Sequence, residues 1–269
     1  MSNSKDQQHI EGNRQLWNEK VPYHFNSTFY DVESFRAGRN ALDPITLAAL
    51  GNRVQGRSLL HLQCHFGQDT LSFHRMGART VGIDFSEAAL EKARTLSREL
   101  NLDARFVLSD VLRADDVLNE QFDVVYTSFG VLGWLPDLVR WAEVVRHFLR
   151  PGGLFYIAEF HPVLYMYDWE KNALTYPYFN RGVFVEEVEG TYADTQANTK
   201  GTEAFWCHSL AEILQPLLDQ GLHLIRFQEF DYSPYNCFSN LQERRPGEYV
   251  YQPEGIVLPH VFSLEMRRG

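Results

Sequence analysis

The stretch SLLHLQCHFGQD (58–69) decides the fold: an apolar run, SLLHL (58–62), passes within a few residues through a lone glycine, Gly67, into a helical pattern. Buried parallel strands are written as short, nearly continuous apolar runs, and crossover helices follow them. Four more runs continue the alternation: TVGID (80–84), RFVLS (105–109), FDVVYT (122–127) and GLFYIAEF (153–160). Between the second and third, Ser86 is placed as an N-cap, and Leu90, Ala93, Leu96 and Leu100 recur at helical spacing. From Asp137 a second helix carries Leu138, Trp141, Val145 and Phe148 on one face and stops at Arg150-Pro151-Gly152-Gly153. Residues 58–160 therefore predict an α/β unit with a parallel sheet.

Outside this block the pattern changes. Residues 1–50 read as cap helices, with Asp43 capping a short helix that starts at Pro44. Residues 162–206 form an aromatic-rich insertion in which FVEEV (184–188) and TEAFW (202–206) pair across GTYADTQANTKG (190–201), a hairpin that would hang over the sheet as a lid. Ser209 and Glu212 make a capping box for a helix closed by Gly221, with Pro216 expected to kink it or shift its start. LHLIRFQEF (222–230) and VFSLEMR (261–267) read as two closing strands.

Composition narrows the function. The 269 residues are 44% hydrophobic, enough for a sizeable core. Lys+Arg 25 against Asp+Glu 35 leaves a formal charge of −10, which argues against nucleic acid and anionic membrane surfaces as partners. No apolar run approaches bilayer length, and the start MSNSKDQQHIEGNRQ lacks the apolar core of a secretory signal, so a cytoplasmic location is expected. Cys64, Cys207 and Cys237 are odd in number and unpatterned, as expected of reduced thiols.

Ligands of open α/β folds bind at the carboxyl edge of the sheet, where strands give way to helices. A pyrophosphate there needs G-x-G-x-x-G, but the loop puts Gln63 and His65 where the first two glycines would stand, which counts against NAD and FAD. A phosphate-free nucleoside cofactor still needs an acid for its ribose. Asp84 stands 17 residues after Gly67 (84 − 67), at the end of the second strand, the spacing that suits such an acid. Phe85 follows it to meet an adenine face, and Asp110 ends the third strand facing an adenine amino group. An Asp at a strand end is by itself also an ordinary cap or turn residue; the joint order along successive strands is what points to a cofactor.

With those residues in view, the sequence resembles the class I S-adenosylmethionine-dependent methyltransferases over about residues 56–160. LLHLQCHFGQDT (59–70), VGIDFS (81–86), LSDV (108–111), FDVVYTSFGVLGWLPD (122–137) and FLRPGGLFYIAEF (148–160) look like that family's five motifs in order. LQCHFG in the first motif is similar to a bacterial subgroup. The resemblance implies a Rossmann-like three-layer sandwich around a mostly parallel seven-stranded sheet with an antiparallel last strand. The whole chain, 1–269, would then be one methyltransferase domain: cap helices 1–50, cofactor-binding core 56–160, lid insertion 162–206 and the C-terminal part of the sheet 207–269. It also implies S-adenosylmethionine as cofactor. Gln63, Cys64, His65, Gly67 and Gln68 would wrap its methionine end, Asp84 would hold both ribose hydroxyls, Phe85 would flank the adenine, Asp110 and Val111 would hold the ring's other side, and Thr127 and Ser128 would meet the ammonium.

Methyl transfer from a sulfonium is an in-line displacement whose main demands are alignment and exclusion of water. Glu159 and His161, in AEFHP (158–162), lie where a base for the acceptor would stand, although a strand-end Glu and a turn His before Pro162 are the plain alternative. Trp134, Tyr165 and Trp169 are expected at the acceptor, and Trp17, Tyr23, His24, Phe29 and Tyr30 as a second part of the lid. Glu186, Glu187, Glu189 and Asp194 among the lid aromatics hint at a neutral or cationic acceptor, unless they only pack a small subsidiary core. His61, Cys64 and His65 are metal-ligand types but lack a fourth partner, and Cys64 lacks a base that would make it a nucleophile, so no metal is expected. The sum is a small-molecule methyltransferase with no nucleic-acid or membrane partner. Its rivals are a non-catalytic cofactor-binding module, whose pocket Trp134 or Trp169 would plug, and a protein-substrate enzyme, which would show a long open groove.

Overall fold

The computed structural model describes residues 4–169 and 171–269; residues 1–3 of the expected cap and residue 170 of the expected lid lie outside the described residues. The chain opens with helices α1 (Ser4–Asn26), α2 (Val32–Arg36) and α3 (Pro44–Leu50). Asp43 starts α3 by accepting from the amides of Ile45 and Thr46, with Pro44 in the first turn, where its missing N–H costs nothing. Strands and helices then alternate: β1 (Ser58–Leu62), α4 (Gln68–Arg75), β2 (Arg79–Asp84), α5 (Glu87–Glu99), β3 (Arg105–Leu108), β4 (Phe122–Thr127), α6 (Leu138–Phe148) and β5 (Leu149–Phe160). A short 3-10 turn, Val111–Asp116, takes the place of a helix between β3 and β4.

Two residue pairs of a small hairpin, β6 (Tyr167–Asp168) and β7 (Ala173–Leu174), lead into the long hairpin β8 (Val183–Glu189) and β9 (Lys200–Trp206). Helix α7 (Leu210–Asp219), β10 (Leu222–Phe230), a hairpin of β11 (Gln242–Arg245) with β12 (Glu248–Val250), and β13 (Val261–Arg268) complete the chain. Ser209 and Glu212 form the reciprocal capping box at the start of α7. Pro216 lies inside that helix without ending it: one missing amide is outweighed by the burial of Ile213 and Leu217 on the same face.

The central sheet has seven strands in the order β10-β13-β5-β4-β1-β2-β3. β13 runs antiparallel to both of its neighbours, and the β1 pairings with β2 and β4 are parallel, as is β4 with β5. This is the expected Rossmann-like sheet with its antiparallel last strand. Because helices cover both faces, alternate residues of one strand enter different cores: Leu60 and Leu62 join Trp141 and Phe148 beneath α6, while Leu59 joins Leu50 and Phe73 beneath α3 and α4. Each such large apolar side chain contributes roughly 1.5–3 kcal/mol on burial.

Helix α1 lies across the carboxyl edge of the sheet and is tied to β9 and to the start of α5, with Lys20 paired to Glu203 of β9. The Asn13 amide exchanges two hydrogen bonds with the backbone of Ala204 on β9, donating at 2.7 Å and accepting at 2.9 Å. At the start of α5, Arg14 pairs with Glu87, and Asn18 accepts from the Ser86 hydroxyl. The β8–β9 hairpin and α1 thus brace one another over the strand ends. Among the described residues no helix is long and apolar enough to cross a membrane.

Candidate active site

The loops after β1, β2, β3 and β4 converge under α1 on a cavity of about 360 Å³. In the first loop, Gln63, His65 and Gly67 all have positive φ, at 57°, 50° and 78°. The backbone therefore keeps a glycine-type turn although two of its three positions carry side chains, at about 1–2 kcal/mol of strain per residue. Those side chains are drawn aside instead of filling the turn. Gln63 Nε2 donates to the Val131 carbonyl at 3.2 Å, and His65 Nε2 meets Nδ1 of His24 on α1 at 3.3 Å. Gly67 admits nothing larger: a Cβ there would stand 2.7 Å from the Phe106 ring.

Asp84, at the end of β2, binds the loop from its other side, accepting from the His65 amide at 2.8 Å and the Ser86 amide at 2.9 Å. Burial pushes its carboxyl up to about 6, against the pull of those amides. Two amides use only half of a carboxylate's accepting capacity, so it can still receive two hydroxyls. Phe85 follows in the wall. Asp110 caps the turn after β3 by accepting from the Leu112 amide at 3.0 Å, and Val111 lies beside it. Ser128 lines the cavity, with its hydroxyl bonded to Nε2 of His61 at 3.0 Å; Nδ1 of His61 meets the Thr70 hydroxyl at 2.9 Å. Thr127 is fully buried behind the wall, and its hydroxyl has no partner among the described residues.

Of the residues expected at the cofactor, the structure brings Gln63, Cys64, His65, Gly67, Gln68, Asp84, Phe85, Asp110, Val111 and Ser128 to one cavity and leaves Thr127 behind it. Cys64 is buried beside Gly82, and burial raises its thiol well above the ordinary value, so it is no nucleophile. Among the described residues no group of three or more His, Cys, Asp or Glu is arranged to hold a metal ion.

The cavity continues away from the loops into an aromatic chamber walled by Phe129, Phe160, Tyr165, Tyr192, Tyr235 and Phe238. Its rings interlock: Phe129 lies 5.3 Å from both Phe160 and Tyr235, and Phe160 lies 4.8 Å from Phe238. Trp134 lines the wall between chamber and loops and is tied back by its indole N–H, which donates to the Gly130 carbonyl at 2.7 Å. Trp169 stands behind the wall, stacked on Phe238 at 4.9 Å. Trp17, Phe29 and Tyr30 line the roof, whereas His24 is buried behind His65.

Glu159 and His161 do not line the cavity. Both Glu159 oxygens are occupied, accepting from the amides of Gly130, Val131, Leu132 and Phe160 at 2.6–3.1 Å, and burial raises its carboxyl to about 6. It clamps the turn after β4. Both nitrogens of His161 are engaged as well, with Glu229 at 3.0 Å and the Val163 amide at 3.2 Å. The lid glutamates are likewise engaged within the insertion: Glu186 accepts from the Tyr176 hydroxyl, Glu187 from Thr202, and Glu189 pairs with Lys200. The carboxylates in the wall are instead Asp69, Asp84 and Asp110. Sequence reasoning missed Asp69 and Arg39, which carry no motif; two residues past Gly67, Asp69 reads as a first-turn helix acid, and only the fold brings Arg39 to the cavity.

Residues 59–153 match the family model of a methyltransferase domain. The chain carries a class I S-adenosylmethionine-dependent methyltransferase domain. A ubiquinone biosynthesis O-methyltransferase of Sinorhizobium fredii is 31% identical over 113 residues, 41% of this chain and 44% of that enzyme, so the match spans less than half of the curated relative. In fold, the methyltransferase domain is similar to an S-adenosylmethionine-dependent methyltransferase of Mesorhizobium loti (TM-score 0.55, 20% identity, covering 87% of this chain and 100% of that one). It is similar too to the glycopeptide N-methyltransferase MtfA complexed with S-adenosylmethionine (TM-score 0.54, 15% identity, 84% and 86%). S-adenosylmethionine is the cofactor of this methyltransferase domain, and its wall fits that molecule in one further respect. Oε1 of Gln63 is buried without a partner among the described residues, an acceptor that an ammonium would satisfy.

Proposed function

We propose that the chain is a methyltransferase that passes a methyl group in line to an oxygen of a small molecule held in the aromatic chamber. The observation that carries this reading is the continuity of one cavity from the cofactor loops into that chamber, with Trp134 tied back beside it. A module that bound the cofactor without turnover would have the space filled, and a protein substrate would call for a long open groove. Oxygen as acceptor atom is supported by the O-methyltransferases among the relatives.

Bound S-adenosylmethionine supplies an electrophilic methyl on a sulfonium, and its departure leaves a neutral thioether. The chain's part is to hold and align. Asp84 would take the ribose hydroxyls, Phe85 one adenine face, and Asp110 with Val111 the far side of the ring. Gln63, Cys64, His65, Gly67 and Gln68 would wrap the amino-acid end, with Ser128 and the Thr127 backbone near its ammonium. Arg39, the cation in the wall among the described residues, would meet its carboxylate. Tyr165 and Trp134 would border the acceptor. Glu159 acts through the turn it clamps, and His161 and Trp169 support the chamber from behind.

Calorimetric titration with S-adenosylhomocysteine tests the cofactor assignment. Binding is expected, weakened by about 1–3 kcal/mol in Asp84→Ala, the range for hydrogen bonds to a charged group. Failure of the unaltered chain to bind at millimolar concentration would overturn the assignment, and unchanged affinity in Asp84→Ala would remove that residue from the site.

A further inference from the structure

Asp69 is one of the three carboxylates of the cavity wall, beside Asp84 and Asp110. It is half-buried in the first turn of α4, and its Oδ2 accepts from the Tyr126 hydroxyl at 3.2 Å. Its Oδ1 has no partner among the described residues, on a side chain that lines the cavity. Its charge acts on the hydroxyls of Tyr30 and Tyr235, and Tyr235 packs on Phe129. The charged neighbours are few. Asp43 adds a second negative charge from the cap of α3, and Arg39 opposes it while its guanidinium donates to the Tyr30 and Asp31 carbonyls. Burial first, and Asp43 second, push the Asp69 carboxyl up to about 7. A carboxylate so placed gains from taking a proton at neutral pH.

We propose that Asp69 is the base of the acceptor site, and that the acceptor is an uncharged hydroxyaryl molecule whose ring lies among Phe129, Phe160, Tyr235 and Phe238 with its hydroxyl on Oδ1. This rests on the methyltransferase reading above. As the acceptor oxygen forms its bond to the methyl carbon, the sulfur–carbon bond breaks with its electron pair left on sulfur, and the hydroxyl proton passes to Asp69, so that methyl ether, thioether and carboxylic acid balance. The proton leaves to water with the product. An anionic acceptor would meet the charge of Asp69, with Asp43 buried behind it, and an alkylammonium would pair with Asp69 while lacking a lone pair to attack. A phenolic hydroxyl, with a pKa of about 10, is the acid nearest to this base, and a flat ring suits walls made of ring edges and faces. Tyr126 is a positioning residue, since its hydroxyl orients the carboxylate.

The test uses the full chain saturated with S-adenosylhomocysteine and 2-naphthol as probe, followed by fluorescence and calorimetry between pH 5 and 8. The unaltered chain should bind 2-naphthol more tightly as pH rises through about 7. Asp69→Asn should bind it at least tenfold more weakly at pH 8, with no pH dependence and with S-adenosylhomocysteine affinity unchanged. Tyr126→Phe, which removes the donor to Oδ2, should move the midpoint to higher pH, and it keeps the test open if Asp69→Asn does not fold. No binding of 2-naphthol by a chain that binds S-adenosylhomocysteine, or equal binding by Asp69→Asn at pH 8, would overturn the proposal. So would a tenfold loss of S-adenosylhomocysteine affinity in Asp69→Asn, which would assign Asp69 to the cofactor's amino-acid end. If the unaltered chain binds no S-adenosylhomocysteine, the methyltransferase reading itself falls.

Discussion

Gln63 and His65 hold left-handed backbone conformations that side chains tolerate poorly, yet each side chain has a reason to stay: one bonds the turn after β4 and the other meets α1. The strain is thus offset by contacts that stitch the loop after β1 to the two elements above it. Gly67 has no such latitude. With φ at 78° and the Phe106 ring 2.7 Å from a built Cβ, Gly67→Ala is expected to lose about 2 kcal/mol or more in thermal unfolding. It should also weaken S-adenosylhomocysteine binding at least tenfold by calorimetry; a variant of unaltered affinity would show that the loop can shift without harm.

Among the elements, the turn after β4 depends on one buried carboxylate. Four backbone amides converge on Glu159 from β5, and Glu159→Gln replaces one oxygen with a donor that faces donors. A loss of about 2–4 kcal/mol is expected in denaturant unfolding, as for an unsatisfied buried group near a lost charged partner. A base on the acceptor would instead lose turnover at unchanged stability. Helix α1 is the second dependence. Asn13→Ala removes both bonds to Ala204, so amide exchange in residues 200–206 should speed up while that of β1 and β4 stays slow. Equal protection in Asn13→Ala and the unaltered chain would mean that α1 is held chiefly by its other ties, Lys20 to Glu203 on β9 and Arg14 and Asn18 to the start of α5.

At the scale of the molecule, the cavity sets how stability responds to pH. Asp69 has its folded value raised to about 7 from an ordinary 3.8, so its buried charge costs nothing below pH 4, costs progressively more as pH climbs, and reaches its full cost above about 7. Asp84 and Glu159, each held at about 6, add to the same trend. His24 and His61 run the other way: burial lowers both to about 3, and their contribution is lost as pH falls below 6.5. Asp69→Asn should therefore melt higher than the unaltered chain by an amount that grows between pH 5 and 7.5 and is then constant, reaching at least ~1 kcal/mol. A difference independent of pH would mean that Asp69 is not the group responsible.

The order of strands and helices, the caps at Asp43, Ser86, Asp137 and Ser209, and the strand-end loops at Gly67, Asp84 and Asp110 that line the cavity were legible in the sequence, because each rests on residues near one another in the chain. Period, capping and loop chemistry are local, and local chemistry is what a sequence writes directly. Which way side chains turn once the elements pack is not local. Glu159 and His161 occupy the strand end that the sequence indicates, but the turn 27–29 residues before Glu159 takes up its carboxylate, and Glu229, 68 residues on, takes Nε2 of His161. Asp69 and Arg39, which carry no motif, reach the cavity wall only because α4 and the link between α2 and α3 close on the same space. From sequence alone follow a parallel sheet and the loops that meet at its carboxyl edge. The tertiary structure alone decided which acids stay free to act there, since a carboxylate's chemistry depends on how many amides reach it and on how much water is left beside it.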